Sequence, residues 1–392
     1  MVADYSLPKM AKTAKNTRRS QSRRETDYIA ARLVLQLHHF PRLSSDYYNQ
    51  GMRYAIETDK LTKHYRVYSK KEGLIPSLVG LVRRDYREVE AVRGIDLRVE
   101  HGEFVAFLGP NGAGKTTTLK LLSGIITPTS GSASVLGYTP WKRENAYRRR
   151  FALVMGQKNQ LWWDLPAAES FRLHQQIYDI PEAVFRRTLD ELTGMMQVES
   201  LLYRPVRELS LGERMRMELI GALLHSPEVL FLDEPTIGLD VTAQFTIHQF
   251  LRHYQRTRGT TILLTSHYMK DVAVLCRRVI VIAGGRLIYD GSLTGLVERF
   301  GGYKIISVLF GDGEIPGDLE RFGRIVSREP PRVRLRVDRQ VVTATLRELL
   351  ARYAADDVSV EDPPLEEVVS ALFASAEQGA DDAAASVSLA HS

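Results

Sequence analysis

Cysteine is almost missing from this chain. Cys276 is the only one in 392 residues, which excludes an intramolecular disulfide and any metal cluster built on cysteines. It falls in an apolar, helix-like stretch and reads as an inert core residue. Long apolar runs are missing too. None approaches the roughly 20 residues that a membrane-spanning helix needs, so an integral membrane protein is not expected. The basic N-terminus is not followed by an apolar segment and a small-residue cleavage site, so no secretory signal is expected either. A basic excess is likewise absent from most of the chain. The formal net charge is +6, but residues 1–51 hold nine Lys/Arg against four Asp/Glu, so the remainder carries only about +1. Composition therefore gives no footprint for nucleic acid.

What is present is enough apolar material, 44% of residues, for one large core with appendages. Residues 1–51 are basic and Ser/Thr-rich and are expected to be a disordered extension, with one short helix-like piece near Tyr28 to Leu37. A strand pattern starts at Tyr54. Residues 69–88 form a basic stretch with apolar residues at Leu74, Ile75, Leu78, Leu81 and Val82, which predicts a short amphipathic helix, either solvated or in contact with a partner or lipid surface. From about 165 to 203 the pattern is helical. From 229 to 287 short apolar strands, Val229–Leu232, Thr261–Thr265, Val279–Ile282 and one from Arg286, alternate with helices, which argues an α/β fold with a mainly parallel sheet. After Gly301-Gly302 the character changes to strands at Tyr303–Phe310, Arg324–Ser327 and Arg332–Val337. Helices are expected at Arg339–Tyr353 and after Pro363-Pro364. The expected organisation is a body at 52–300 with a helical part at about 160–225, a small α+β appendage at 301–376 and a disordered tail at 377–392.

The most informative segment is Gly109-Pro110-Asn111-Gly112-Ala113-Gly114-Lys115-Thr116, followed by Thr117. It fits the phosphate-binding pattern G-x-x-x-x-G-K-[ST], and it lies between an apolar strand (Phe104 to Leu108) and a helical run, as that motif requires. Glycines let successive backbone N–H groups turn inward as a nest for phosphate oxygens. The helix that begins there adds the positive end of its dipole. Lys115 can reach the β- and γ-phosphates, and the Thr116 hydroxyl can ligate Mg²⁺. Val229-Leu-Phe-Leu-Asp233-Glu234 is an apolar strand ending in two carboxylates. A buried strand can deliver Asp233 to the Mg²⁺ shell, and Glu234 can polarise an attacking water as general base. ATP and Mg²⁺ are the ligands this chemistry implies.

Leu209-Ser210-Leu211-Gly212-Glu213, just before a helix pattern, resembles the LSGGQ signature of ABC-type ATPases, with Leu211 in place of the usual first Gly and Glu213 in place of Gln. The resemblance covers about residues 53–300. It implies a P-loop NTPase of the ABC ATPase type, with a mainly parallel core sheet, an antiparallel β subdomain and a helical subdomain. Residue by residue, Gln157 resembles the Q-loop glutamine that senses Mg²⁺ and the γ-phosphate. Gly238-Leu239-Asp240 resembles the D-loop at the dimer interface, and His267 the switch histidine that orients the catalytic water. Tyr65 stands where an aromatic stacks on adenine, with Tyr68 as its competitor.

The family implies a head-to-tail dimer of two copies with two ATPs between them. Each site takes Lys115, Thr116, Gln157, Asp233, Glu234 and His267 from one copy and Ser210 and Gly212 from the other. It also implies separate membrane permease subunits, a place on the cytoplasmic face of the bacterial inner membrane, and no nucleic acid. Asp362-Pro-Pro-Leu-Glu-Glu-Val-Val and the run Met155 to Pro166 resemble ABC-2-type exporters, in particular viologen-exporter-like or Na⁺-exporter-like subunits. An importer ATPase and a soluble ABC protein acting on ribosomes or DNA are the rival readings. Two adjacent indoles, Trp162 and Trp163, cannot both point to one side of a helix or strand, so at least one is expected to be exposed where the family receives the permease.

Overall fold

A computed structural model describes residues 53–68, 86–156, 158–311 and 315–375. The expectations for residues 1–51, for 69–85, for Gln157 and for the 377–392 tail fall outside the described residues. Residues 86–88, expected within the basic stretch, belong to a strand.

The chain opens with a long strand, β1 (Tyr54–Tyr68), which pairs antiparallel with β2 (Tyr86–Ile95), β3 (Arg98–Glu100) and, later, β5 (Ser130–Val135). Between them run β4 (Phe104–Leu108) and α1 (Lys115–Leu122). The short α2 (Asn145–Arg148) leads into β6 (Phe151–Met155), α3 (Ala167–Tyr178), α4 (Glu182–Met196) and α5 (Leu211–Leu223). Next come β7 (Val229–Asp233), α6 (Val241–Arg258), β8 (Thr261–Thr265), α7 (Met269–Leu275), β9 (Arg278–Ala283), β10 (Arg286–Ser292) and α8 (Leu293–Phe300).

Strands β10-β9-β4-β8-β7-β6 form the central sheet in that order, parallel except for β10. The continuous apolar runs seen in the sequence are what a strand covered on both faces requires. Side-chain alternation sorts them onto two cores. Val105, Phe107, Phe231, Leu263 and Ile280 face a cluster that includes Leu119 and Leu122 of α1 and the antiparallel strands. Ala106, Leu108, Leu232, Leu264 and Val281 face a larger cluster fed by α3 to α6. Cys276 is buried at the C-terminus of α7, where burial raises its thiol pKa.

The last part is a second antiparallel sheet, built from β11 (Tyr303–Leu309), β12 (Arg324–Glu329), β13 (Arg332–Asp338) and β14 (Asp357–Glu361), with α9 (Val342–Arg352) before β14. Its order is β12-β13-β11-β14. It carries a core of its own around Ile306, Val308, Leu335 and Leu349. The sequence reading passes over β14: Asp357-Val358-Ser359-Val360-Glu361 alternates polar and apolar but is only five residues long, and its pairing with β11 completes the strand. A final helix, α10 (365–375), places Val368, Val369 and Leu372 in the larger core of the central sheet.

Candidate active site

Parallel register builds the site. Met155, Asp233 and Thr265 are partners across β6, β7 and β8, and Thr265 is also the partner of Phe107 on β4. Strands β6, β7 and β8 therefore stop on one row, with β4 one residue longer, and the loop after each begins at the same edge of the sheet. The carboxyl edge of such a sheet is where α/β proteins bind ligands.

The loop after β4 holds Gly109 to Gly114, and α1 starts at Lys115. Gly114 has φ 107°, and a Cβ there would meet Ala91 O at 2.3 Å. A Cβ on Gly109 would meet Ile282 O at 2.3 Å. Both glycines are thus set by close backbone approach. Lys115 Nζ donates to Gly109 O at 2.7 Å and Pro110 O at 3.1 Å, so the ammonium lies across its own loop. Burial lowers the Lys115 pKa, while the nearby Glu234 and Asp233 carboxylates oppose that shift. Phosphate oxygens would be stronger, charge-assisted partners than these carbonyls. Asn111 and Gly112 are exposed at the mouth, Ala113 is buried beneath it, and Thr117 faces partly outward.

Thr116 Oγ1 lies 2.9 Å from Asp233 Oδ2, and Thr265 Oγ1 donates to Asp233 Oδ1 at 2.7 Å. Glu234 follows at φ 55°. A left-handed backbone costs a non-glycine residue about 1–2 kcal/mol, and Pro235 restricts the preceding residue further. The turn is held because Glu234 N donates to Thr265 O and Thr265 Oγ1, each at 3.1 Å. Gly156 lies against it: its N–H donates to Asp233 O at 2.8 Å, and a Cβ there would meet Glu234 O at 2.1 Å. Strain of this kind collects at functional sites. It turns the carboxylate so that Oε1 lies 2.6 Å from His267 Nε2. A carboxylate only accepts, so this nitrogen carries the proton.

Lys115, Thr116, Asp233, Glu234 and His267 are thus brought together. Ser210, Gly212 and Asp240 form a second cluster. Ser210 caps α5: its Oγ accepts from Glu213 N at 3.3 Å, and its N–H donates to Glu213 Oε2 at 2.8 Å. This is a capping box, so the glutamate standing in the family's glutamine position performs the reciprocal bond that either residue can make. The Ser210 backbone bond, then its side-chain bond, lower the Glu213 pKa. Asp240 caps α6 by accepting from Ala243 N at 2.9 Å. Gly212 packs so closely on this turn that a Cβ would sit 2.6 Å from Ala243 Cβ. Among the described residues no side-chain hydrogen bond joins this cluster to the first. Tyr65 lies on β1 opposite Val89, half-buried, with Lys63 Nζ 5.3 Å from its ring. Trp162 and Trp163 are both exposed, at 49% and 45%.

Sequence reasoning missed the supports. Thr265 holds Asp233 at the end of β7 and Glu234 just after it, and its only signal was a hydroxyl two residues before His267. The buried Asp271 accepts from Thr236, from Ser266 at 2.9 Å and from His248 Nε2 at 2.8 Å. It ties the segment after Glu234 to the one around His267. The Ser210-x-x-Glu213 spacing was the legible sign of the capping box.

Groups of this chemistry, all mounted on the carboxyl ends of neighbouring parallel strands, are those of a P-loop ATPase. The ABC transporter family model matches residues 92–237, and the model for the EvrA-like ABC transporter C-terminal domain matches residues 302–361. The Nod factor export ATP-binding protein I of Cupriavidus pinatubonensis is 36% identical over 243 residues, which cover 61% of this chain and 74% of that protein. The daunorubicin resistance ATP-binding protein DrrA3 of Streptomyces coeruleorubidus is 32% identical over 296 residues, 72% of this chain and 91% of that one. A dimeric ATP-binding cassette in a post-hydrolysis state with ADP and phosphate shares the fold, with a TM-score of 0.51 at 23% identity over 61% of this chain and 98% of that one. The chain belongs to the ATP-binding, ATP-hydrolysing subunits of ABC transporters, on the branch of the bacterial exporters.

Proposed function

We propose that two copies of this chain close head to tail on two MgATP molecules and drive export through separate permease subunits at the cytoplasmic face of the inner membrane. The observation that carries this reading is the separation of the two clusters. Each chain has one phosphate loop and one signature turn, and Ser210 and Leu211 are exposed at the start of α5. A second copy would supply the missing half of each site. In this reading the pore is built by other subunits, which accords with the described residues holding no helix long and apolar enough to cross a membrane. Export in preference to import follows the relatives and the small C-terminal sheet.

In this reading Lys115 and the N–H groups of the loop grip the β- and γ-phosphates. The Thr116 hydroxyl and Asp233 carboxylate meet at 2.9 Å, and such a hard-oxygen pair suits Mg²⁺, which keeps most of its waters and takes few protein ligands. Bound Mg²⁺ would neutralise charge on the phosphate oxygens. Glu234 takes a proton from the attacking water, and His267 fixes the rotation of that carboxylate. Gln157 is assigned the family's sensing role, Tyr65 the adenine face, Asp240 the partner contact, and Ser210 and Gly212 the partner's γ-phosphate.

Glu234→Gln tests the reading. The amide cannot serve as base, while Lys115 and Asp233 still hold nucleotide. The variant should lose turnover by about a hundredfold or more and elute as an MgATP-dependent dimer in size-exclusion chromatography. A monomer at saturating MgATP, or turnover equal to the parent, would remove the composite site or the role of Glu234 respectively.

A further inference from the structure

Glu218 is a buried acid that the hydrolytic site does not use. It lies on α5, two turns beyond Ser210, and is 3% exposed. Its Oε1 accepts from Gln160 N at 3.0 Å and from Leu161 N at 3.3 Å, and its Oε2 accepts from Gln160 N at 3.1 Å. Burial raises its pKa, while these backbone bonds and, more weakly, Arg214 act the other way. Leu161, which it bonds, and Met217 and Leu219, its neighbours along α5, are buried as well. An apolar side chain would fill such a place with less desolvation cost. What it could not do is hold two main-chain N–H groups of another segment.

That segment is the one that carries the tryptophans. Gln160 and Leu161 are tied to α5 through Glu218, and Trp162 N donates to Ser170 Oγ of α3 at 3.1 Å. Trp163 O accepts from Arg207 N at 3.0 Å, and the Arg214 guanidinium, also on α5, lies 5.5 Å from the Trp163 ring. One helix therefore begins at the signature turn and, two turns later, grips the chain immediately before two exposed indoles. Its reach joins the nucleotide side of the subunit to the outer surface that carries the two exposed indoles.

We propose that Glu218 is a positioning residue that couples α5 to residues 160–163, so that displacement of the signature turn on ATP closure moves Trp162 and Trp163. This rests on the ATP-closed dimer proposed above. The test uses Glu234→Gln in a Trp141→Phe background, so that Trp162 and Trp163 are the two remaining indoles of the three in the chain. MgATP should form the dimer by chromatography and change the tryptophan emission. Adding Glu218→Met, which keeps the volume and removes the acceptors, should leave the dimer and the MgATP affinity within about threefold while cutting the emission change about fivefold or more. Glu218→Gln keeps one acceptor oxygen and should restore at least about half of it.

Hydrogen exchange on the chain with Glu218 intact gives a reading independent of the folding of any Glu218 variant. The Gln160 and Leu161 amides should stay protected both without nucleotide and in the MgATP dimer. A dimer whose indole emission does not change, an undiminished change in Glu218→Met, or loss of protection at those amides on closure overturns the coupling. Failure of the dimer to form overturns the underlying reading instead.

Discussion

At the residue scale the carboxylate proposed as the general base is held by its neighbours rather than by its own preference. Glu234 sits in a left-handed conformation ahead of a proline, fastened by Thr265 and by the absence of a side chain at Gly156. Asp271 extends this support by gathering Thr236, Ser266 and His248 into one buried network. Asp271→Asn turns one acceptor oxygen into a donor facing groups that also donate. The variant should lose about 2–3 kcal/mol of stability. It should also lower kcat about tenfold or more while leaving MgATP affinity within about threefold, because the phosphate loop does not contact this network. The split between kcat and affinity is the readout. An unchanged kcat in a folded Asp271→Asn protein would reduce the network to a purely structural role.

At the element scale, the strand that ends in a site loop is the repeated device. Its buried apolar run fixes register, and register fixes where Asp233, Thr265 and the phosphate loop emerge. These strands were legible in the sequence because a parallel strand covered on both faces leaves a continuous apolar run. Strand β14 was not, because an edge strand that pairs on one side needs little apolar content. The tryptophan pair belongs to this scale as well. Adjacent indoles were expected to leave at least one exposed, and both are, in a segment braced by α3 and α5. Trp162→Ala and Trp163→Ala should therefore leave the isolated subunit folded and able to bind ATP, and should weaken its recovery with permease subunits about tenfold. Pull-down with the permeases checks this. Unchanged recovery and transport in both variants would show that the surface is not a docking site.

At the scale of the whole molecule, the C-terminal segment has two attachments. Its sheet has a separate core, yet α10 returns to the main one, where Val368, Val369 and Leu372 are buried with Leu296 and Val281. A chain ending at Glu361 keeps every strand and loses these three side chains. Each buried aliphatic is worth about 1.5–3 kcal/mol. The shortened protein should therefore melt about 5–10 °C lower in calorimetry, including the transition that MgATP stabilises. If only a separate minor transition were lost and the ATP-stabilised one stayed in place, α10 would be shown to contribute nothing to the ATPase core.

The amino-acid sequence by itself determined the groups whose chemistry is contiguous: Gly109 to Thr116, Asp233-Glu234, Ser210 with Gly212, and His267. Each is a short run whose spacing carries its own geometry, and the apolar strands before three of them supply the platform. Only the tertiary structure decided what braces those groups. Thr265 meets Asp233 because two strands lie in register, and Gly156 is required because a third strand ends against the Glu234 turn. Asp271 joins residues separated by more than thirty positions, and Glu218 reaches N–H groups 57 and 58 positions earlier in the chain. Such partners have no common spacing. They are fixed by which side chains the packed sheet and helices bring within hydrogen-bonding distance, and a buried polar group has to find one there.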